Sequence, residues 1–202
     1  MKVLIVSRTR MKNGVCCGGI NLTTGEFVRI HDHWGKNLTN DVPFQIGQLY
    51  SMDYRTAINK RPLPHTEDKE VMPDYKLIGK LTTSEFIDEI DRLIDVPCGG
   101  IETIFEGKLR RSTYATYISQ EEVPQHSVCF WRPNEPLIKS CFLGKTRYWY
   151  DGCHVISYVG FQEPVDMIPA GTLLRMSLAN WWSPDDITEK RCYLQLSGWF
   201  GI

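Results

Sequence analysis

The sequence predicts an all-β fold with one prominent helix, arranged as two tandem units. Three observations carry this expectation. Short apolar or alternating segments recur between Gly-, Pro- and Asp-rich turns along most of the chain. A single stretch, residues 83–94, has helical periodicity. The pattern Gly-x-Leu-x-x-Met occurs at 47–52 and again at 171–176, each time leading into strand-like sequence, as two similar β units would require.

The elements follow in order. Residues 2–7 read as a buried strand, closed by a polar turn that ends at Gly14. Residues 15–22 and 26–31 flank Thr23, Thr24 and Gly25, a good hairpin connection. A polar loop over 35–42 leads to a β segment at 48–54, and the Pro- and charge-rich stretch 55–70 reads as a long loop. The helix has Thr82 as N-cap and Glu85 at the third position, a capping box, with Leu81 and Phe86 at the staple positions around it. Phe86, Ile87, Ile90, Leu93 and Ile94 share one face, and Pro97 with Gly99 and Gly100 ends it. Residues 98–126 are ambiguous, with short strands possible at 101–105 and 113–118. From Ser127 onward strands return, at 128–131, 146–150, 153–161, 173–178 and 192–199. Short strands in two such units, one with a helix at its seam, fit two OB-type barrels, the first over 1–105 and the second over 106–202.

Composition narrows the function. At 202 residues, 42% hydrophobic and 23% charged, the chain has enough apolar surface for a core. A formal net charge of −1 argues against non-specific coating of a duplex, although a local basic groove is compatible with it. No stretch approaches the roughly 18 apolar residues of a membrane span. Seven cysteines, none spaced Cys-x-x-Cys, suit a reduced cytoplasm.

Five of the six tryptophans lie at or beyond Trp131, interleaved with arginines, and that pattern carries the functional expectation. Rings beside guanidinium groups stack bases and hold phosphates. The same rings serve equally as barrel core. Strand alternation divides RYWY at 147–150, with Tyr148 and Tyr150 on one face and Arg147 and Trp149 on the other. A buried unpaired arginine is costly, so Arg147 and Trp149 are the pair expected outside. Trp131 and Arg132 form a second ring–guanidinium pair. Adjacent Trp181 and Trp182 cannot both enter a core from an extended segment, so one is expected outside, before the turn-like acidic stretch 183–186. Trp199 reads as core. In the first unit Arg8, Arg10, Phe27 and Arg29 fall near the strands and loops an OB barrel uses for binding.

Other chemistry has less support. His31 and His33 aim to one side of a strand, as a metal would require, but two histidines are not a site; a metal-dependent hydrolase would need His65 as well. Cys153 and His154 are neighbours and face opposite ways, so they form no nucleophile–base pair. No dinucleotide fingerprint, phosphate loop or nucleophile elbow occurs. No catalytic residue, metal or cofactor is expected.

The order of motifs resembles the dual OB-containing domain family of bacterial conflict and defence systems. The resemblance rests on VLIVSR at 3–8, CCGGI at 16–20, GEFVRI at 25–30, HTED at 65–68, LRMSL at 174–178 and LQLSGW at 194–199, with Thr66 where the family motif would have proline. It implies two OB barrels that bind nucleic acid without a catalytic centre. Together, residues and resemblance predict a cytoplasmic, non-catalytic protein that binds single-stranded or unpaired nucleic acid, with a protein partner from the same system also open. Arg8, Arg29, Arg132, Arg147, Trp149, Trp181 and Trp182 are the expected contacts. The competing expectation is a protein-interaction or small-ligand sensor module.

Overall fold

The computed structural model describes residues 1–58, 61–185 and 187–202. It divides into two compact units. The first comprises residues 1–62 and 66–95 with Gly201; the second comprises 63–65 and 96–200 with Ile202. Both are β-rich, as two OB-like domains require, and the only α-helix among the described residues lies in the first.

The first unit contains β1 (Lys2–Arg10), β2 (Val15–Asn21), β3 (Phe27–His31), β4 (Gln48–Ser51), β5 (Tyr54–Thr56), β6 (Asp68–Val71), β7 (Lys76–Lys80) and α1 (Thr83–Leu93). The sheet runs β5-β6-β3-β2-β1-β4-β7; its neighbours pair antiparallel except β3 with β6. Alternate residues of β1, β2 and β3 (Val3, Ile5, Val15, Cys17, Val28 and Ile30) build the core with Phe44, Tyr50 and Met52. The predicted β1–β3 segments are all present.

Helix α1 forms as its sequence predicts. The Thr82 hydroxyl accepts the Glu85 N–H at 3.3 Å, and the Glu85 carboxylate accepts the Thr82 N–H at 2.7 Å. Both bonds satisfy donors at the helix start that have no partner within the helix. Thr82→Ala is therefore expected to lower stability by about 1 kcal/mol, measured by denaturant titration. An unchanged midpoint would mean that the cap contributes nothing.

The second unit contains β8 (Cys98–Gly99), β9 (Arg110–Ser112), β10 (Ala115–Ile118), β11 (Val128–Pro133), β12 (Leu137–Phe142), β13 (Lys145–Tyr150), β14 (His154–Tyr158), β15 (Met167–Ile168), β16 (Leu173–Leu178) and β17 (Cys192–Phe200). The main order is β15-β12-β13-β14-β17-β16-β11-β8, with β10 also pairing β17 and β9. Its core gathers Trp131, Tyr148, Tyr150, Ile156, Leu174, Met176, Leu194, Leu196 and Trp199. Gly47 and Gly171, the echoed glycines, sit at φ 84° and 78°, in the left-handed region that favours glycine, and lead into β4 and β16.

Several expectations shift. The units divide at 95/96 rather than at 105/106, because Cys98 and Gly99 pair with β11 and because Ile101, Ile104 and Phe105 join the second core. The stretch 101–105 is not a strand. It forms two 3-10 turns, Ile101–Thr103 and Phe105–Gly107, with Phe105 and Glu106 at positive φ. The expected loop over 55–70 contains β5 and β6; Asn59 and Lys60 of that stretch lie outside the described residues. Strands β7 and β12 also appear where none is expected. Both expose most of their side chains, so their sequences lack a clear apolar alternation. No helix among the described residues is long and apolar enough to cross a membrane.

Candidate nucleic-acid interface

The outer face of the second sheet brings the expected pair, Arg147 and Trp149, together with rings the sequence reading overlooks. Along β13, Tyr148 and Tyr150 enter the core, Arg147 is half-buried and Trp149 is exposed, as alternation predicts. Burial pushes the Tyr148 hydroxyl up to about 12, so it stays protonated and donates to the Val165 carbonyl at 2.9 Å. Tyr150 is pushed up to about 12 for the same reason and donates to Asn134 Oδ1 at 2.6 Å. Both rings are structural.

Outside, β12 pairs with β13 so that Ile138 lies opposite Trp149 and Ser140 opposite Arg147. The Arg147 guanidinium carbon sits 5.1 Å from the Phe142 ring centroid, and its Nη1 donates to the Tyr114 carbonyl at 3.0 Å. Tyr114, 63% exposed, lies parallel to Phe142 with centroids 5.6 Å apart and planes 16° from parallel. An exposed ring stack held by an arginine is thus already assembled. Through the register, the Arg147 position continues sideways as Ser140, Arg147, Ser157, Gln195 and Ser177. All five are half-buried. Five strands at about 4.8 Å spacing make this polar row roughly 19 Å long.

A second ring series lies on β10 and β17. Arg191 covers Tyr117 at 4.1 Å, Tyr117 and Tyr193 are 6.3 Å apart, and Tyr193 and Trp182 are 6.0 Å apart. Trp182 is 56% exposed, whereas Trp181 packs partly on the core and donates its indole N–H to the Leu63 carbonyl at 2.8 Å. One of the two tryptophans is therefore outside, as expected. Asp186, part of the expected turn-like stretch 183–186, lies outside the described residues.

Of the remaining candidates, Trp131 enters the second core, Arg132 lies on the non-core side of β11, and Arg8 and Arg29 belong to the first unit. Trp131 is core and donates its indole N–H to the Gly99 carbonyl at 3.1 Å, while Arg132 sits on the opposite side of β11, half-buried, in register with Cys98. Arg8 is half-buried and donates to the Asn40 and Phe44 carbonyls at 2.7 and 3.5 Å, which ties that loop to β1. Arg29, only 11% exposed, faces Asp68 at 3.4 Å in a buried charge group. His31 Nε2 lies 3.4 Å from the same carboxylate oxygen, and Arg61 Nε lies 2.9 Å from the other. Burial alone would raise the Asp68 carboxyl; the His31 contact and the charges of Arg29, His31 and Arg61 outweigh it and hold the group below the usual carboxylate range. Beside it, Arg55 donates to Glu70 at 2.8 Å, and Lys69 pairs with Glu26 at 2.6 Å. Arg29 is thus committed to structure.

His65 is buried, with its Nε2 3.8 Å from Cys192 Sγ. Among the described residues no group of three or more His, Cys, Asp or Glu side chains gathers as a metal site would need. The sequence reading passed over Phe142 because it missed β12, and over Tyr114, which it placed in a possible strand at 113–118 but which falls in the turn before β10. It also left aside Trp34, which is 74% exposed on the turn after His33.

Three solved structures resemble the fold at low similarity. A murine DNA-binding protein bound with double-stranded DNA is 11% identical, covers 97% of this chain and 91% of its own, and has a TM-score of 0.30. The Ifi202 HINa domain in complex with 20-base-pair double-stranded DNA is 9% identical over 98% of this chain and 95% of its own, with a TM-score of 0.33. A structure described as structural mimicry for functional antagonism is 11% identical over 98% and 91%, again at 0.33. Likeness at this level carries no functional argument. No curated protein matches the chain. The dual OB-containing domain matches residues 1–199, almost the whole length, and the chain belongs to that family.

Proposed function

We propose that this protein binds single-stranded or otherwise unpaired nucleic acid, without catalysis, on the outer face of the second unit. The observation that carries the reading is the exposed ring stack of Tyr114 and Phe142 held by Arg147, with exposed Trp149 on the same face of β13 and a row of hydrogen-bonding side chains beside them. Flat exposed rings stack on base faces only where those faces are not already covered by pairing. Serine and glutamine side chains offer donors and acceptors to base edges or to sugars. The near-neutral charge of the chain fits a site that relies on stacking more than on phosphate neutralisation. All seven cysteines are free thiols, which suits the cytoplasm, and we place the activity in a bacterial or phage conflict system on the strength of the family resemblance.

The test is fluorescence anisotropy with short labelled single strands of DNA and RNA and with a duplex, each across a salt series. Single strands should bind more tightly than the duplex. Arg147 and Lys145 are the cations beside the Phe142 ring on β13, and two phosphates held there at roughly −0.7 each give a shallow slope of log K against log salt, about −1.4. Duplex binding equal to or tighter than single-strand binding would overturn the proposal.

A further inference from the structure

We infer that the first unit holds a separate pocket for one nucleobase. A cavity of about 250 Å³ opens beside the end of β3. It is small against the roughly 300–1,000 Å³ of pockets that take drug-sized ligands, so its occupant is a single mono- or bicyclic ring system. Its walls are apolar and aromatic. Phe44 and Tyr75 stand 4.9 Å apart at 49°, with Val71 and Val42 beside them. The polar lining comes from the Asn37 amide, Thr39, Asp32 and the His31 and His33 rings; His31 also meets Asp68 at 3.4 Å. Neither the Asn37 amide nor the Tyr75 hydroxyl hydrogen-bonds to another described residue, so both are available to a ligand.

The rim is preorganised. The Asp32 carboxylate accepts the backbone N–H groups of Trp34 and Lys36 at 2.9 and 2.8 Å, and the Asp32 N–H donates to the Lys36 carbonyl at 3.0 Å. Gly35 closes this turn at φ 75°, where a Cβ would lie 3.2 Å from Glu70 Oε1. The same turn sets the exposed Trp34 ring 4.6 Å from His33. Asp32 is thus engaged in the turn, and no lysine or arginine lines the cavity. The chemistry selects a neutral, planar ring with donors and acceptors along its edge, which describes a purine or pyrimidine base.

Such a base can arrive as a free nucleoside or splayed from a strand. Only the second source rests on the nucleic-acid reading above. The experiment titrates the full chain by calorimetry with adenosine, guanosine, cytidine and uridine, and separately with the short oligonucleotides. It is repeated on Asn37→Ala, a change at an exposed position, and on Val42→Trp, which fills the cavity. Thermal midpoints report whether each variant folds. Saturable nucleoside binding that weakens about tenfold or more in both variants establishes the free base as ligand. Oligonucleotide binding that weakens in both variants, without nucleoside binding, establishes the strand. If either folded variant binds both ligands like the wild type, or if neither ligand binds at all, the pocket assignment falls. Loss confined to Trp149→Ala sinks this inference and spares the second-unit face; loss confined to the pocket variants does the reverse.

Discussion

Trp149→Ala is expected to weaken binding of a short single strand about tenfold or more, while the thermal midpoint moves by less than about 2 °C. A base stacked on an aromatic side chain contributes roughly 1–3 kcal/mol, and each 1.4 kcal/mol or so is a factor of ten in affinity. Trp149 lies on the outer face of β13, opposite the exposed Ile138, and takes no part in the core. Surface changes of that kind stay within about 0.5 kcal/mol of stability. Arg147→Ala should show the same separation with an added effect, because it releases the Tyr114 carbonyl and uncovers Phe142. Tyr148→Ala, one residue away on the other face, is the contrasting control. It empties a core position and leaves the Val165 carbonyl without its donor, which should cost about 3–5 kcal/mol and lower the midpoint strongly. Full affinity in folded Trp149→Ala, or unfolding comparable to that of Tyr148→Ala, would remove Trp149 from the binding face.

The parts of this arrangement that the sequence makes legible are those governed by local rules. Alternation alone separates Tyr148 and Tyr150 from Arg147 and Trp149, because a strand offers two faces and an unpaired arginine avoids the core. The Thr82–Glu85 capping box is equally local. Strand β6 shows where local rules end. Its sequence, Asp-Lys-Glu-Val, reads as loop, yet all four residues are buried. What makes that tolerable is tertiary: Asp68 meets Arg29, His31 and Arg61, Lys69 meets Glu26, and Glu70 meets Arg55. None of those partners adjoins its mate in sequence, so no window of residues signals the strand. Arg29 illustrates the same point for the site. Its sequence context suits a ligand contact, and only the fold reveals Asp68 in front of it. Conversely, Phe142 and Tyr114 become a ring stack only once β12 and the turn before β10 converge on Arg147.

Asp68→Ala is expected to cost about 3 kcal/mol at neutral pH, the largest loss from any single charged residue of the first unit. Removing one member of a buried ion group leaves the others desolvated and uncompensated, typically for roughly 3–5 kcal/mol. The lower end applies because Arg61 keeps about a third of its side-chain exposure, so water can rehydrate it, whereas Arg29 at 11% and His31 at 5% are not rescued in this way. The pH dependence has a definite sign. The folded-state carboxyl of Asp68 lies below its unfolded value of about 3.9, so the folded protein binds fewer protons there than the unfolded chain does. Its contribution is fully present above about pH 4 and is lost as pH falls through the folded value. Denaturant titrations of the wild type and of Asp68→Asn at neutral pH and at successively lower pH should therefore converge, the difference between them shrinking in acid. A constant difference across that range would mean that Asp68 acts through packing rather than charge. A negligible difference at neutral pH would mean that its three basic neighbours are solvated well enough without it.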